Sequence, residues 1–167
     1  DEPFAIILAD DLLDGQPPVL KQMLKVFDEQ NGSVLAVEKI DPSKSSSYGI
    51  ISGAEVSKGI YRLNGIVEKP QPQDAPSNLA VVGRYVLSSD IFNHIRNLKP
   101  GAGGEIQLTD AIASLLKEDP VFAYEYDGVR YDCGSKLGYL KASVEFALRH
   151  PEVKTEFAAY LKNRSLT

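Results

Sequence analysis

The chain has 167 residues, a formal net charge of −5 and one cysteine, enough length for a single domain with a real hydrophobic core. Its acidic balance and lack of a long basic run exclude the cationic footprint that nucleic acid requires, and no apolar stretch nears the roughly 20 residues that cross a bilayer. Cys133 alone supports neither an internal disulfide nor a cysteine-based zinc site and suits a reducing cytoplasm. The opening Asp1-Glu2-Pro3 has no initiator Met and no basic n-region, so a fragment or processed chain without a signal peptide is expected.

Phe4-Ala5-Ile6-Ile7-Leu8-Ala9 runs without a polar break into Asp10-Asp11. The run is too short for a helix and reads as a strand buried on both faces. Open α/β sheets bind ligands outside the carboxyl ends of their strands, so Asp10 and Asp11 are either functional groups or caps of the adjoining loop or helix. Pro17-Pro18 lead into an amphipathic helix with Leu20, Met23, Leu24 and Phe27 on its apolar face and Gly32 as its cap. Ser33 to Val37 is the next strand, and strand-helix-strand order predicts a parallel βαβ unit. Lys44 to Ser47 reads as a polar loop.

Tyr48 to Ile51 and Tyr61 to Leu63 flank a turn-rich Gly53–Gly59 and predict a hairpin. Ile66-Val67 ends in Glu68-Lys69-Pro70, followed by a loop with Pro72 and Pro76. Leu79 to Leu87 is a strand whose interior Gly83 marks either a bulge or a close approach. Ser88 or Ser89 caps a short helix through Ile91 and Ile95. Lys99 to Gly104 is glycine-rich but lacks the Lys-Ser/Thr of a phosphate-binding loop and reads as a connector. Leu108, Ile112, Leu115 and Leu116 face one side of another helix. Val121 to Tyr126, the Asp127-Gly128 turn and Val129 to Tyr131 predict a second hairpin that ends in Asp132. Two helices close the chain around Pro151, one with Leu137, Leu140, Val144 and Ala147, the other with Val153, Phe157, Tyr160 and Leu161.

Three of these residues suggest chemistry together. Asp10 and Asp132 each end a strand and, meeting at one sheet edge, would suit Mg²⁺, a hard cation that takes oxygen ligands. Lys69 at a strand end is a compact charge for a phosphate. Glu68 beside it is expected on the other face of a regular strand, or pointing outward if the strand has ended.

In order along the chain, Phe4 to Asp11, Tyr48-Gly49, Val67 to Pro70, Pro76 to Leu87, Pro100 to Ile112 and Asp132 to Tyr139 closely resemble the bacterial UTP–glucose-1-phosphate uridylyltransferases, or UDP-glucose pyrophosphorylases. The resemblance implies an α/β fold: an incomplete Rossmann-like nucleotidyltransferase with a mixed sheet flanked by helices. It implies that the phosphate of glucose 1-phosphate attacks UTP, giving UDP-glucose and pyrophosphate. By the family's motifs Asp10 and Asp132 would be the Mg²⁺ ligands, Lys69 would hold the sugar phosphate, and Glu68 would accept from glucose hydroxyls. Gly49, Val82 and Gly83 would line the sugar pocket, and Asp11 would stand behind the metal ligands. Glu105, Thr109 and Asp110 lie in a family motif that helix capping explains equally well. A homo-oligomer in the cytoplasm is expected.

The family's N-terminal Gly-x-Gly-Thr-Arg loop, which grips UTP, has no counterpart in these residues. Residues 1–167 are therefore expected to form the C-terminal, sugar-phosphate and metal-binding part of the catalytic domain, with terminal helices over 135–164, inactive by itself. Two other classes compete. A Mg²⁺-dependent phospho-receiver fails because Glu38-Lys39, and no acceptor aspartate, end the Val34–Val37 strand. A non-catalytic interaction or oligomerisation module built on the terminal helices is the other.

Overall fold

The computed structural model describes residues 2–100 and 104–164. Among the described residues are five α-helices and eight strands, the strands forming a six-stranded sheet in the order β1-β6-β3-β7-β5-β4 and a separate two-stranded ribbon, β2-β8. The strands are β1 (Phe4–Ile7), β2 (Asp11–Asp14), β3 (Ser33–Lys39), β4 (Gly49–Ser57), β5 (Ile60–Glu68), β6 (Leu79–Leu87), β7 (Val121–Glu125) and β8 (Val129–Asp132). The helices are α1 (Val19–Gln30), α2 (Ile91–Asn97), α3 (Leu108–Leu115), α4 (Lys136–Arg149) and α5 (Lys154–Lys162). A 3₁₀ turn, Pro42–Ser47, replaces the expected polar loop, with Asp41 accepting from the Ser43 N–H at 2.9 Å. The sheet is mixed: β3 and β7 are parallel, and the other pairs are antiparallel. This is the α/β class with helices on both faces that the sequence predicts.

The core follows from β3 and β6. Both are buried at most positions, with apolar runs Val34–Val37 and Leu79–Val82, because both faces of the sheet are covered. Val34 and Ala36 of β3 pack under α1 with Met23, Val26 and Phe122. Leu35 and Val37 face the other way, onto Ile91, Ala111, Ile112 and Leu115 of α2 and α3.

Several expectations are corrected. β1 lies at the sheet edge, with Ile7 57% and Leu8 44% exposed, so it is not buried on both faces. β6 inserts between β1 and β3, both antiparallel to it, so the parallel strands joined by α1 are not neighbours. The buried face of α1 is Val19, Gln22, Met23 and Val26, and Leu24 is exposed. Its C-cap is Asn31 in the left-handed conformation (φ 50°), not Gly32. The first hairpin is longer than expected and turns at Lys58-Gly59, the glycine taking φ 71°. Neither Ser88 nor Ser89 caps α2, whose N-cap is Asp90. Gly101 to Gly103 of the expected connector lie outside the described residues.

The largest correction concerns β8. Asp127-Gly128 does not fold it back onto β7; it leaves the main sheet and pairs antiparallel with β2, far away in sequence. The ribbon is pinned to α4 by Arg149, which donates to Asp14 at 2.6 Å, and by an edge-on contact of Tyr131 with Phe146. The terminal helices bury less than their periodicity suggests: Leu137, Leu140 and Tyr160 are exposed, and Ala142 is the one buried residue of α4.

Candidate active site

The ribbon register puts Asp11 opposite Asp132. Asp10, one residue before the ribbon, accepts the Cys133 N–H at its carbonyl at 2.7 Å. The chain then bends through Gly134, whose N–H donates to Asp132 Oδ1 at 3.1 Å, and enters α4 with Ser135 capping the Gly138 N–H. A Cβ on Gly134 would stand 3.1 Å from Asp10 Oδ2 and 3.2 Å from Asp132 Oδ1. The two carboxylates thus flank one point that the missing side chain leaves open. Asp10 is exposed and Asp132 half-buried, so both are reachable from solvent.

Asp11 has a different task. It is 8% exposed. Its Oδ2 accepts the Gly83 N–H at 2.7 Å, its Oδ1 accepts Arg130 Nε at 2.6 Å, and its carbonyl accepts Arg84 Nη2 at 3.1 Å. It locks the ribbon to β6. Arg130 also donates to Glu38 at 2.9 Å and to the Tyr48 hydroxyl at 3.2 Å, and lies over the Tyr48 ring. Burial disfavours its charge, but the hydrogen bonds to Asp11, Tyr48 and Glu38 outweigh that and raise its pKa. Arg84 is buried too, and burial lowers its pKa against the opposing pull of Asp11.

The second cluster forms where β5 ends. Lys69 takes a left-handed backbone (φ 46°) and donates its N–H to the Tyr48 carbonyl at 2.9 Å. That kink ends the strand at Glu68, the second of the two alternatives, and leaves Lys69 Nζ 3.4 Å from Glu68 Oε1 rather than on an opposite face. Non-glycine residues in this region cost of order 1 kcal/mol and concentrate at functional sites. Glu68 Oε2 accepts the Thr109 hydroxyl at 2.6 Å. Gly49 lies opposite Glu68 in register, and a Cβ there would meet Glu68 Oε2 at 3.3 Å and Thr109 Oγ1 at 3.4 Å. Thr109 is therefore a contact of the site rather than a helix cap; the N-cap of α3 is Gln107.

Gly83 answers both readings offered for it. The β3–β6 register shifts between Leu35 and Val37, opposite Gly83, and a Cβ there would collide with Asp11 Oδ2 at 2.7 Å. Val82 points into the core under α1, so position 82 has only its backbone to offer a ligand. Glu105 and Asp110 are exposed.

Asp10 and Asp132 thus meet, and Glu68 and Lys69 meet. Tyr48 joins the two groups: its carbonyl holds Lys69, its hydroxyl holds Arg130, and it lines with Asp132 a cavity of about 450 Å³. Asp10 and Lys69 themselves stand outside that cavity's lining. Arg130 was invisible to sequence reasoning because its partners come from β2, β3 and Tyr48, the residue before β4; its position two residues before Asp132 on one strand is the signal that could have found it.

Two carboxylates suit Mg²⁺, which takes one or two protein carboxylates and fills the rest of its shell with water and phosphate oxygens. Asp10 and Asp132 beside Gly134 offer oxygen donors of that kind. Among the described residues no group of three or more His, Cys, Asp or Glu is arranged as a metal cage.

A family model described as nucleotidyl transferase matches residues 1–148. Over 162 residues the chain is 44% identical to a UTP–glucose-1-phosphate uridylyltransferase of Staphylococcus haemolyticus, covering 97% of this chain and 56% of the relative. Over 166 residues it is 46% identical to UTP–glucose-1-phosphate uridylyltransferase 2 of Streptococcus pyogenes, covering 96% and 56%. A crystal structure of UDP-glucose pyrophosphorylase complexed with UDP-glucose superimposes with a TM-score of 0.85 at 45% identity, covering 89% of this chain and 57% of that one. The chain thus spans a little over half the length of these relatives. On the match over residues 1–148, the shared fold and the sequence identity, the chain belongs to the nucleotidyl transferase family.

Proposed function

We propose that residues 1–167 are the sugar-phosphate and metal-aspartate part of an enzyme that makes UDP-glucose and pyrophosphate from UTP and glucose 1-phosphate. The observation that carries the reading is the convergence of Asp10 and Asp132 on one opening, from residues far apart in sequence. The relatives' names and the UDP-glucose complex of the structural neighbour support the choice of substrates.

In this reading Lys69 leaves Glu68 Oε1 and binds the phosphate of glucose 1-phosphate, its side chain being 58% exposed. Glu68, steadied by Thr109, accepts hydrogen bonds from the sugar hydroxyls, and Gly49 leaves room for the ring. A phosphate oxygen forms a bond to the α-phosphorus of UTP while the bond from that phosphorus to the bridging oxygen breaks and pyrophosphate leaves. No general base is needed, because the attacking phosphate is already ionised, and positioning plus charge neutralisation supplies the catalysis. Asp10 and Asp132 would hold Mg²⁺, which neutralises the anionic reactants when bound. The chain's own charge of −5 makes that neutralisation necessary.

The single cysteine and the relatives' sugar-nucleotide chemistry favour a cytoplasmic setting, and no described helix is long and apolar enough to cross a membrane. The exposed Leu137, Leu140 and Tyr160 of the terminal helices favour a homo-oligomer or a scaffolding contact as a second role for this segment. Saturation-transfer NMR tests the substrate assignment. Glucose 1-phosphate and UDP-glucose are expected to receive magnetisation and glucose 6-phosphate to receive none. Equal transfer to both hexose phosphates would remove the assignment.

A further inference from the structure

We infer that Arg130 is a positioning residue that couples the Asp10–Asp132 edge to the Glu68–Lys69 edge, so that cation binding at one end and sugar-phosphate binding at the other reinforce each other. The inference rests on the sugar-nucleotide reading above.

The geometry of one guanidinium carries it. The Arg130 side chain is 11% exposed and bonds to groups on three separate pieces of chain. Nε takes Asp11 Oδ1 at 2.6 Å on the ribbon, and Nη1 takes Glu38 Oε1 at 2.9 Å on β3 and the Tyr48 hydroxyl at 3.2 Å. Each partner leads directly to a functional group. Asp11 is bonded in sequence to Asp10 and is paired with Asp132. Tyr48 precedes Gly49, and its carbonyl fixes the left-handed Lys69.

The ribbon needs such a tie because it does not belong to the main sheet. Asp11 contacts with Gly83 and Arg84 on β6 and the Arg130 contact with Glu38 on β3 hold it there, while the Asp11–Arg130 pair braces the ribbon internally. Of these, only Arg130 reaches both the ribbon and Tyr48. A planar fork can span acceptors in different directions, whereas a lysine ammonium is one point charge on a flexible stem. A shift of an ångström in such a tie would move the carboxylates relative to the lysine, and positioning of that order matters for phosphoryl transfer.

Native-state hydrogen exchange on this chain, without ligand, tests the tie. In Arg130→Lys the amides of Cys133 and Lys69, which bond to the Asp10 and Tyr48 carbonyls, are expected to exchange about tenfold faster together, while Leu35 and Val37 keep their rates. Titration with Mn²⁺ and glucose 1-phosphate tests the coupling. In the parent each ligand is expected to tighten the other about tenfold, and in Arg130→Lys less than about twofold. Faster exchange confined to β8, or full coupling in a folded Arg130→Lys, overturns the role of Arg130 and leaves the sugar-nucleotide reading standing. A parent that binds neither ligand removes both. Tyr48→Phe, which deletes only the 3.2 Å bond, carries the test if Arg130→Lys does not fold. Faster exchange at Lys69 is expected there, and an unchanged Lys69 amide overturns the inference.

Discussion

Asp11 and Asp132 face each other across the β2–β8 ribbon, and this one pairing brings Asp10 and Asp132 to the same opening beside Gly134. The carboxylate that makes the contact with β6 is buried, and its sequence neighbour is left exposed. A buried, hydrogen-bonded aspartate and a solvent-exposed one thus stand side by side because the ribbon begins between them.

Asp10→Asn and Asp132→Asn are each expected to weaken Mn²⁺ binding by at least about tenfold, since even partners behind metal ligands cost 10 to 100-fold. Titration followed by electron paramagnetic resonance measures this. Unchanged affinity in both variants would take the cation away from these aspartates.

Lys69→Ala is expected to weaken glucose 1-phosphate binding by roughly 10²-fold, the usual scale for losing one charged partner at a desolvated contact. Calorimetric titration measures it. A loss of twofold or less would leave Lys69 a surface residue with an unusual backbone.

Thr109→Val is nearly isosteric and removes the 2.6 Å bond to Glu68. Hydrogen bonds to charged groups contribute about 1.5–3 kcal/mol, so glucose 1-phosphate affinity is expected to fall about tenfold with Mn²⁺ affinity unaltered. An equal loss of both ligands would point to misfolding instead.

Gly138→Ala tests the start of α4. Alanine is the better helix former by about 1 kcal/mol, yet its Cβ would run into the Asp132 carbonyl oxygen. The collision outweighs propensity, so a loss of about 1–3 kcal/mol is expected in urea unfolding. A stabilised variant would mean that Asp132 and α4 separate freely.

Tyr85 gives a pH dependence. Burial, reinforced by Glu68 and Asp11, pushes its phenol up to about 12 from the ordinary 10.0. Because the folded state holds the proton more tightly, the contribution to stability is complete below pH 10 and declines as pH rises toward 12. Comparing urea unfolding of the parent and Tyr85→Phe from pH 9 to 12 isolates it: the parent is expected to lose more stability across that window. Parallel curves would refute the assignment.

The strands at the centre were legible because β3 and β6 are covered on both faces and their apolar runs say so. The same logic misled at Phe4–Leu8: an apolar run also fits an edge strand, and Ile7 and Leu8 stand open. Asp127-Gly128 has the chemistry of a hairpin turn, but β8 pairs with β2, and long-range pairing leaves no local trace in sequence. Asp10, Asp132 and Lys69 stood out in the sequence as strand ends; Asp132 closes β8 and Lys69 follows β5, whereas Asp10 lies past β1 and directly before β2. The alliance of Glu68 with Lys69 was missed because strand alternation fails where Lys69 turns left-handed. Arg130 and Thr109 needed coordinates, because their meaning lies in partners on other elements.

The central claim is that one chain holds a divalent cation and a sugar phosphate together. Thermal unfolding with Mg²⁺, with glucose 1-phosphate and with both tests it most directly. At about 100 times the dissociation constant a ligand adds about 2.7 kcal/mol, so the midpoint is expected to rise by roughly 5–10 °C with one ligand and roughly 10–20 °C with both, and by less in Asp10→Asn. An unmoved midpoint with both ligands, or the same rise in an Asp10→Asn, Asp132→Asn double variant, would contradict it.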